Sequence, residues 1–163
     1  MTAWSGRRGT HNLMINRGGR DGIRIGQAVV DGSHLVGRIT DTDPVTSTVR
    51  LILSPDTRLG ARIVPPSPKA PPRDARAYLT VSDDGDVLTG KVGADAVIRK
   101  GDLVHLADSA WPDAAQGFLI GSVVAYEKWP DDPLNYRRVV VRPPASLMHL
   151  QRAVVLVPPE DLR

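Results

Sequence analysis

Met14-Ile15-Asn16-Arg17-Gly18-Gly19-Arg20-Asp21-Gly22-Ile23-Arg24-Ile25-Gly26-Gln27-Ala28-Val29-Val30-Asp31 reads as a strand end, a tight turn and the start of a new strand. Asn16 and Asp21 flank Gly18, Gly19 and Gly22. Asn and Asp bond to nearby backbone amides in turns, and Gly supplies positive φ. Gly26 then launches the apolar run Ala28 to Val30, and Leu35-Val36-Gly37-Arg38-Ile39 returns. The same order recurs later: Arg99-Lys100-Gly101-Asp102-Leu103-Val104, then Leu119-Ile120-Gly121-Ser122-Val123. In both, a Gly turn starts a strand, and the return strand reads apolar-apolar-Gly-x-apolar. A Gly inside a strand marks a bulge, a bend or a close backbone approach, all of which small barrels need in order to close. Asp102, directly after Gly101, is placed to hold its own turn.

Working outward, the apolar runs stay short and are separated by turn signals. They include Leu13 to Ile15, Val49 to Leu53, Ala77 to Val81, Phe118 to Ala125, Val139 to Val141 and Ala153 to Val157. No stretch keeps helical periodicity for three turns; the best helical candidate is the short Ala145 to Leu150, after Pro143 and Pro144. With 15 Gly and 14 Pro along the chain and β-branched Val filling the core, the fold class is all-β. The expected architecture is two small β-barrels of Greek-key, chymotrypsin-like character, with little helix. Asp83-Asp84-Gly85-Asp86 reads as a hairpin turn. Pro65-Pro66-Ser67-Pro68-Lys69-Ala70-Pro71-Pro72 is the clearest break, because so many missing donors exclude a central strand. It is expected as an extended connection, and only secondarily as a ligand for a PxxP-reading domain.

Composition removes several function classes. The 163 residues suit one domain or two very small ones. Without Cys, thiol catalysis, disulfides and zinc-thiolate sites drop out. Lys plus Arg is 21 against 18 for Asp plus Glu, a mild excess spread along the chain. No apolar run approaches the roughly 20 residues that cross a bilayer, and the N-terminus lacks the apolar core of a signal peptide. A serine-protease triad finds no support: His11, His34, His105 and His149 are scattered, and no Ser has a nucleophile-elbow setting. Gly18-Gly19-Arg20-Asp21-Gly22 lacks a Walker pattern, and Asp83 to Asp86 lacks the rest of a calcium loop. No metal or other cofactor is expected. Nucleic-acid binding is the alternative from another class, because small barrels carry it. Yet of the aromatics only Trp4 lies near the basic run Arg7, Arg8, Arg17, Arg20 and Arg24.

Taken in order, these motifs resemble the barrel core of the MreC family. The apolar-Asn-basic-Gly turn at Ile15 to Gly18 matches it, as do Asp21-Gly22, Gly26 to Val29 and Leu35 to Ile39. So do Thr46 to Ile52, Lys100 to Val104, Gly117 to Val123, and the closing Val139 to Pro143 with Val154 to Leu156. Trp4 stands where that family often has a Trp. Two departures are the loop Ala107 to Gly117 and the stiff Pro-rich break.

The resemblance implies a first barrel over 1–64 closed by strands from 139–163, a Pro-rich connection at 65–73, and a second barrel over 74–138. It implies no reaction. The implied role is a scaffold of bacterial cell-shape maintenance and wall elongation, acting by self-association and by binding a penicillin-binding transpeptidase and other morphogenetic proteins. It places the chain on the outer, periplasmic face of the inner membrane, although this stretch carries neither the family's membrane helix nor its coiled coil and inserts into no membrane itself. An open edge on the first barrel is expected to pair with a second copy. Asn16, Gly18, Asp21, Gly22, Gly26, Gly37, Gly101, Asp102 and Gly121 are read as structural turn and barrel residues. Trp111 and Trp129 are the candidate partner contacts, because interfaces favour Trp.

Overall fold

The computed structural model describes residues 2–3, 12–144, 147, 150 and 152–158, with side chains from residue 12 onward. The first unit holds β1 (Thr2–Ala3), β2 (Asn12–Ile15), β3 (Ala28–Asp31), β4 (His34–Thr42), β5 (Ser47–Leu51) and β12 (Val154–Val155). Their pairing order is β1-β2-β5-β4-β3-β12. The second unit holds β6 (Arg58–Val64), β7 (Ala75–Val81), β8 (Leu88–Gly93), β9 (Leu103–Leu106), β10 (Leu119–Lys128) and β11 (Tyr136–Arg142). These close into a barrel in the order β10-β11-β8-β7-β6-β9, with β9 pairing back to β10. Among the described residues, helix is limited to short 3-10 turns. The all-β class holds, with one closed barrel and, among the described residues, an unclosed sheet in the first unit.

Alternation builds the core. On β7, Ala77 and Leu79 point inward while Arg76, Tyr78 and Thr80 point out. Leu13, Leu35, Val49, Leu59, Leu79, Leu88, Ile120 and Val139 are fully buried, and the buried apolar side chains of both units form one cluster. Each such side chain contributes roughly 1.5–3 kcal/mol. Besides this shared core, a parallel bridge, Leu119 with His34, pairs strands of the two units.

In the opening turn Asp21 and Gly22 take the roles their residue types imply. Asp21 accepts from the Gly18 amide (3.1 Å) and pairs with Arg17. Gly22 has φ +81°. Gly18 is buried under the tip of the β4–β5 hairpin, where a Cβ would sit 2.2 Å from the Asp43 carbonyl oxygen. Asn16 is exposed at the end of β2.

The echo between the units is structural as well as sequential. The Gly26 amide donates to the Ile39 carbonyl (2.8 Å), and the Ile39 amide donates back to Gln27 (2.9 Å). In the second unit the Gly101 amide donates to Val123 (2.8 Å), and the Val123 amide to Asp102 (2.9 Å). Gly26 and Gly101 have φ of +96° and +93°. A Cβ on Gly37 would lie 2.1 Å from the Arg50 carbonyl oxygen, and one on Gly121 2.3 Å from that of Arg142. The two inner glycines therefore permit the same close strand approach.

Two boundaries differ from the sequence expectation. β6, placed in the first barrel, pairs with β7 from Arg58↔Thr80 to Ile63↔Ala75 and with β9 from Ala61↔Leu106 to Val64↔Leu103. The Pro-rich stretch is thus a loop within the second unit, not a connection between units. Its turn is Ser67-Pro68-Lys69-Ala70, with the Ala70 amide bonded to the Ser67 carbonyl (3.0 Å). Pro68 occupies the second turn position, where its fixed φ favours reversal. β11 likewise belongs to the closed barrel, between β10 and β8; of the 139–163 region, β12 is the strand that joins the first unit. The hairpin at Asp83 to Asp86 forms, with Gly85 at φ +77° and the Ser82 amide bonded to Val87 (2.9 Å). The helix expected at Ala145 to Leu150 falls largely outside the described residues, as does Trp4; Leu147 and Leu150 are buried.

Candidate partner-binding surface

Outward-facing positions on the barrel strands gather cations over aromatic rings. The Arg58 guanidinium lies 4.8 Å from the Tyr78 ring centre. Lys91 Nζ lies 3.9 Å from Tyr136 and 5.1 Å from Trp129, and Arg138 covers Trp129 at 5.3 Å. Lys91 and Arg138 are direct cross-strand partners on β8 and β11. Tyr78 is 63 % exposed, so this face looks into solvent. A groove of about 390 Å³ runs across it between Arg58, Tyr78, Lys91 and Trp129, floored by Gly90 and the hydroxyl-bearing Thr80 and Thr89.

Arg58 also lines a second groove of about 400 Å³, on the first unit, so the two grooves share a wall. The rim of this second groove carries the exposed Ile25, with Arg38, Arg50 and Asp56 around it, and the buried Leu51, Ile52 and Trp111 lie behind. Arg38 and Arg50 are direct cross-strand partners on β4 and β5. Arg38 donates to the Gly26 carbonyl (3.0 Å) and sits 5.2 Å from the Trp111 ring. Ile25 is 65 % exposed at the rim.

The two tryptophans proposed as contacts part company here. Trp111 is 9 % exposed, behind the first-unit groove and under Arg38, so packing covers most of it. Its loop is held down by Asp108, which accepts from the Gly60 amide (2.8 Å), and by Gln116, whose Nε2 donates to the Asp108 and Trp111 carbonyls. Trp129 is half-buried between its two cations on the outer face. The nine turn and barrel residues do not converge on one site; they divide between the turns and strands of the two units, some buried and some, such as Asn16, Asp21 and Gly101, exposed. Of these, Asp102 is 2 % exposed and holds a bidentate pair with Arg73 (2.8 and 3.0 Å) while accepting from the Arg99 amide (2.9 Å). Sequence reasoning missed Arg38, Arg50, Arg58, Tyr78, Lys91, Tyr136 and Arg138. The strict alternation of Arg76-Ala77-Tyr78-Leu79-Thr80 already placed Tyr78 outside, which was the available signal.

This closed barrel with its adjoining sheet can be set beside known proteins. The model of the rod shape-determining protein MreC barrel core matches residues 3–157. The chain belongs to the MreC family. It is 25% identical over 151 residues to the cell shape-determining protein MreC of Haemophilus influenzae, covering 92% of this chain and 40% of that one. It thus spans less than half the length of that curated relative. An MreC structure from Listeria monocytogenes superposes with a TM-score of 0.76 at 22% identity, over 96% of this chain and 73% of the other. A chain in the complex between penicillin-binding protein PBP2 and MreC from Helicobacter pylori superposes at 0.61 with 15% identity, over 89% of this chain and 85% of the other. At these identities the two structures establish the fold.

Proposed function

We propose that this chain is a non-enzymatic scaffold of cell-shape maintenance and wall elongation, working on the periplasmic face of the inner membrane. It associates with itself and binds a penicillin-binding transpeptidase. The observation that carries the reading is the family match across 3–157. The complex of PBP2 with MreC from Helicobacter pylori supports the choice of partner. Two features of the chain fit such work. The first-unit sheet ends, among the described residues, on the short strands β1 and β12, whose outer edges are open to pairing. The closed barrel offers a cation-rich outer face suited to protein contact.

The test immobilises the purified chain and measures binding of the extracytoplasmic part of its own bacterium's elongation transpeptidase, with a matched oligonucleotide as control. Sedimentation at rising concentration measures self-association in parallel. Saturable transpeptidase binding with concentration-dependent association supports the scaffold. Oligonucleotide binding alone would replace it with the small-barrel nucleic-acid reading.

A further inference from the structure

We infer that the two grooves joined at Arg58 form one docking track for an extended acidic polypeptide segment of a partner protein. The inference deepens the scaffold reading and rests on it for the partner's kind.

The charge pattern is the first argument. The grooves are lined by four cations, Arg38, Arg50, Arg58 and Lys91, against one carboxylate, Asp56. Arg138, partner to Lys91, extends the track and faces Glu127 on its other side, so with both added five cations stand against two carboxylates. Two of the cross-strand pairs are cation on cation, Arg38 with Arg50 and Lys91 with Arg138. Like charges directly opposite each other in a sheet are unfavourable. Each unit therefore carries a repulsive pair at its own groove, and carboxylates placed between the pairs would relieve both.

The second argument decides the ligand class. The Tyr78, Trp129 and Tyr136 rings are each already covered by a cation. A nucleobase or a sugar ring stacking on these rings competes with the cations already seated there. What the track presents outward is N–H donors, and Arg meets carboxylates through paired hydrogen bonds. Ile25, exposed at the rim of the first-unit groove, gives an aliphatic side chain of the same segment a surface to rest on. Acidic residues interspersed with aliphatic ones match both features; a phosphate backbone matches only the first.

The probe is a short fluorescein-labelled peptide of the repeat Glu-Leu-Glu-Gly, with its Lys counterpart and a thymidine oligonucleotide as controls, read by anisotropy on the whole chain. The acidic peptide should bind and weaken as salt rises. Arg50→Gln and Arg58→Gln should each weaken it about tenfold, with Arg20→Gln, outside the track, leaving it unchanged. Thermal unfolding of each variant is measured alongside, and Arg50→Gln should melt no lower than the parent, which separates lost binding from lost fold. Absence of acidic-peptide binding, binding indifferent to both track variants, or equal binding of the oligonucleotide would overturn the track. Transpeptidase binding is measured on the same variants. If the transpeptidase binds the parent and the track variants equally, the scaffold reading stands and the track does not serve it. If the peptide binds through the track and the transpeptidase does not bind, the track stands and the choice of partner fails.

Discussion

The turn that launches β3 and the turn that launches β9 are the same device built with different chemistry. In the first unit the Gln27 side chain accepts from the Arg24 amide (3.0 Å) and its Nε2 donates to the Gly22 carbonyl (3.3 Å). In the second, Asp102 accepts from the equivalent Arg99 amide (2.9 Å). Both side chains are buried, at 5% and 2%. A neutral amide closes its own local loop. A buried carboxylate needs a counter-charge, and Arg73 supplies it from the far end of the Pro-rich loop. The first turn is therefore self-contained, while the second is wired to a distant segment of chain. The extra requirement gives the Pro-rich loop a defined landing point at Arg73, which also donates to the Val97 carbonyl (3.3 Å).

The shared part of the device should break hardest. Gly37→Ala and Gly121→Ala each drive a Cβ into a neighbouring strand's carbonyl oxygen, at 2.1 and 2.3 Å. Backbone cannot give way as a side-chain tip can, so each should cost about 4 kcal/mol by urea unfolding. If one of the pair is tolerated, the two units are not equivalent at their strand crossings.

The part that differs comes next. Asp102→Ala strands a guanidinium that is 15% exposed and should cost about 3 kcal/mol. Gln27→Ala leaves one amide without its acceptor and should cost about 1–2 kcal/mol. Asp102→Ala should also loosen the Pro-rich loop, seen as faster proteolysis within 65–73, whereas Gln27→Ala should not. Equal costs with no loop effect would mean that the Arg73 pair contributes nothing beyond the amide.

Much of this comparison was legible beforehand. The apolar-apolar-Gly-x-apolar echo identified Gly37 and Gly121 because a missing Cβ is itself a local signal. The Asp83 to Asp86 hairpin was legible for the same reason. The Arg73–Asp102 pair was not, since its partners are 29 positions apart and only the closed barrel brings them together. The Pro-rich stretch misled because five prolines were read as stiffness, although Ser67-Pro68-Lys69-Ala70 has Pro where a reversing turn favours it. Trp111 and Trp129 could not be told apart, because burial depends on the loop pinned by Asp108 and Gln116 rather than on neighbours in sequence.

A smaller effect tests how the first unit's opening turn is clamped. The Gly19 and Arg20 amides donate to the Asp43 and Pro44 carbonyls (2.7 and 3.1 Å). The Asp43 carboxylate organises that tip, and its pKa is lowered, first by the Thr46 hydroxyl and then by the Val45 and Thr46 amides. A lowered folded-state value stabilises above the ordinary carboxylate range and loses that stabilisation as pH falls through the folded value. Amide exchange at Gly19 and Arg20 should therefore speed up, relative to the barrel amides, below about pH 4. Asp43→Asn should remove the pH dependence.

The smallest expected change concerns the two like-charged pairs. In the second unit both members, Lys91 and Arg138, rest on aromatic rings. In the first, Arg38 has Trp111 and the Gly26 carbonyl, whereas the Arg50 guanidinium has no partner among the described residues. Removing a charge therefore acts differently in the two places. Arg50→Gln takes away the repulsion from Arg38 without breaking a hydrogen bond or ion pair among the described residues, and should stabilise by about 0.3 kcal/mol. Lys91→Gln removes repulsion together with its contacts to Trp129 and Tyr136, and the two should nearly cancel. A matched pair of thermal melts at low salt decides this, with the Arg50 gain shrinking as salt screens the pair. If Arg50→Gln destabilises instead, Arg50 is serving the fold, and the repulsive pair in the first unit is no mark of a missing anionic partner.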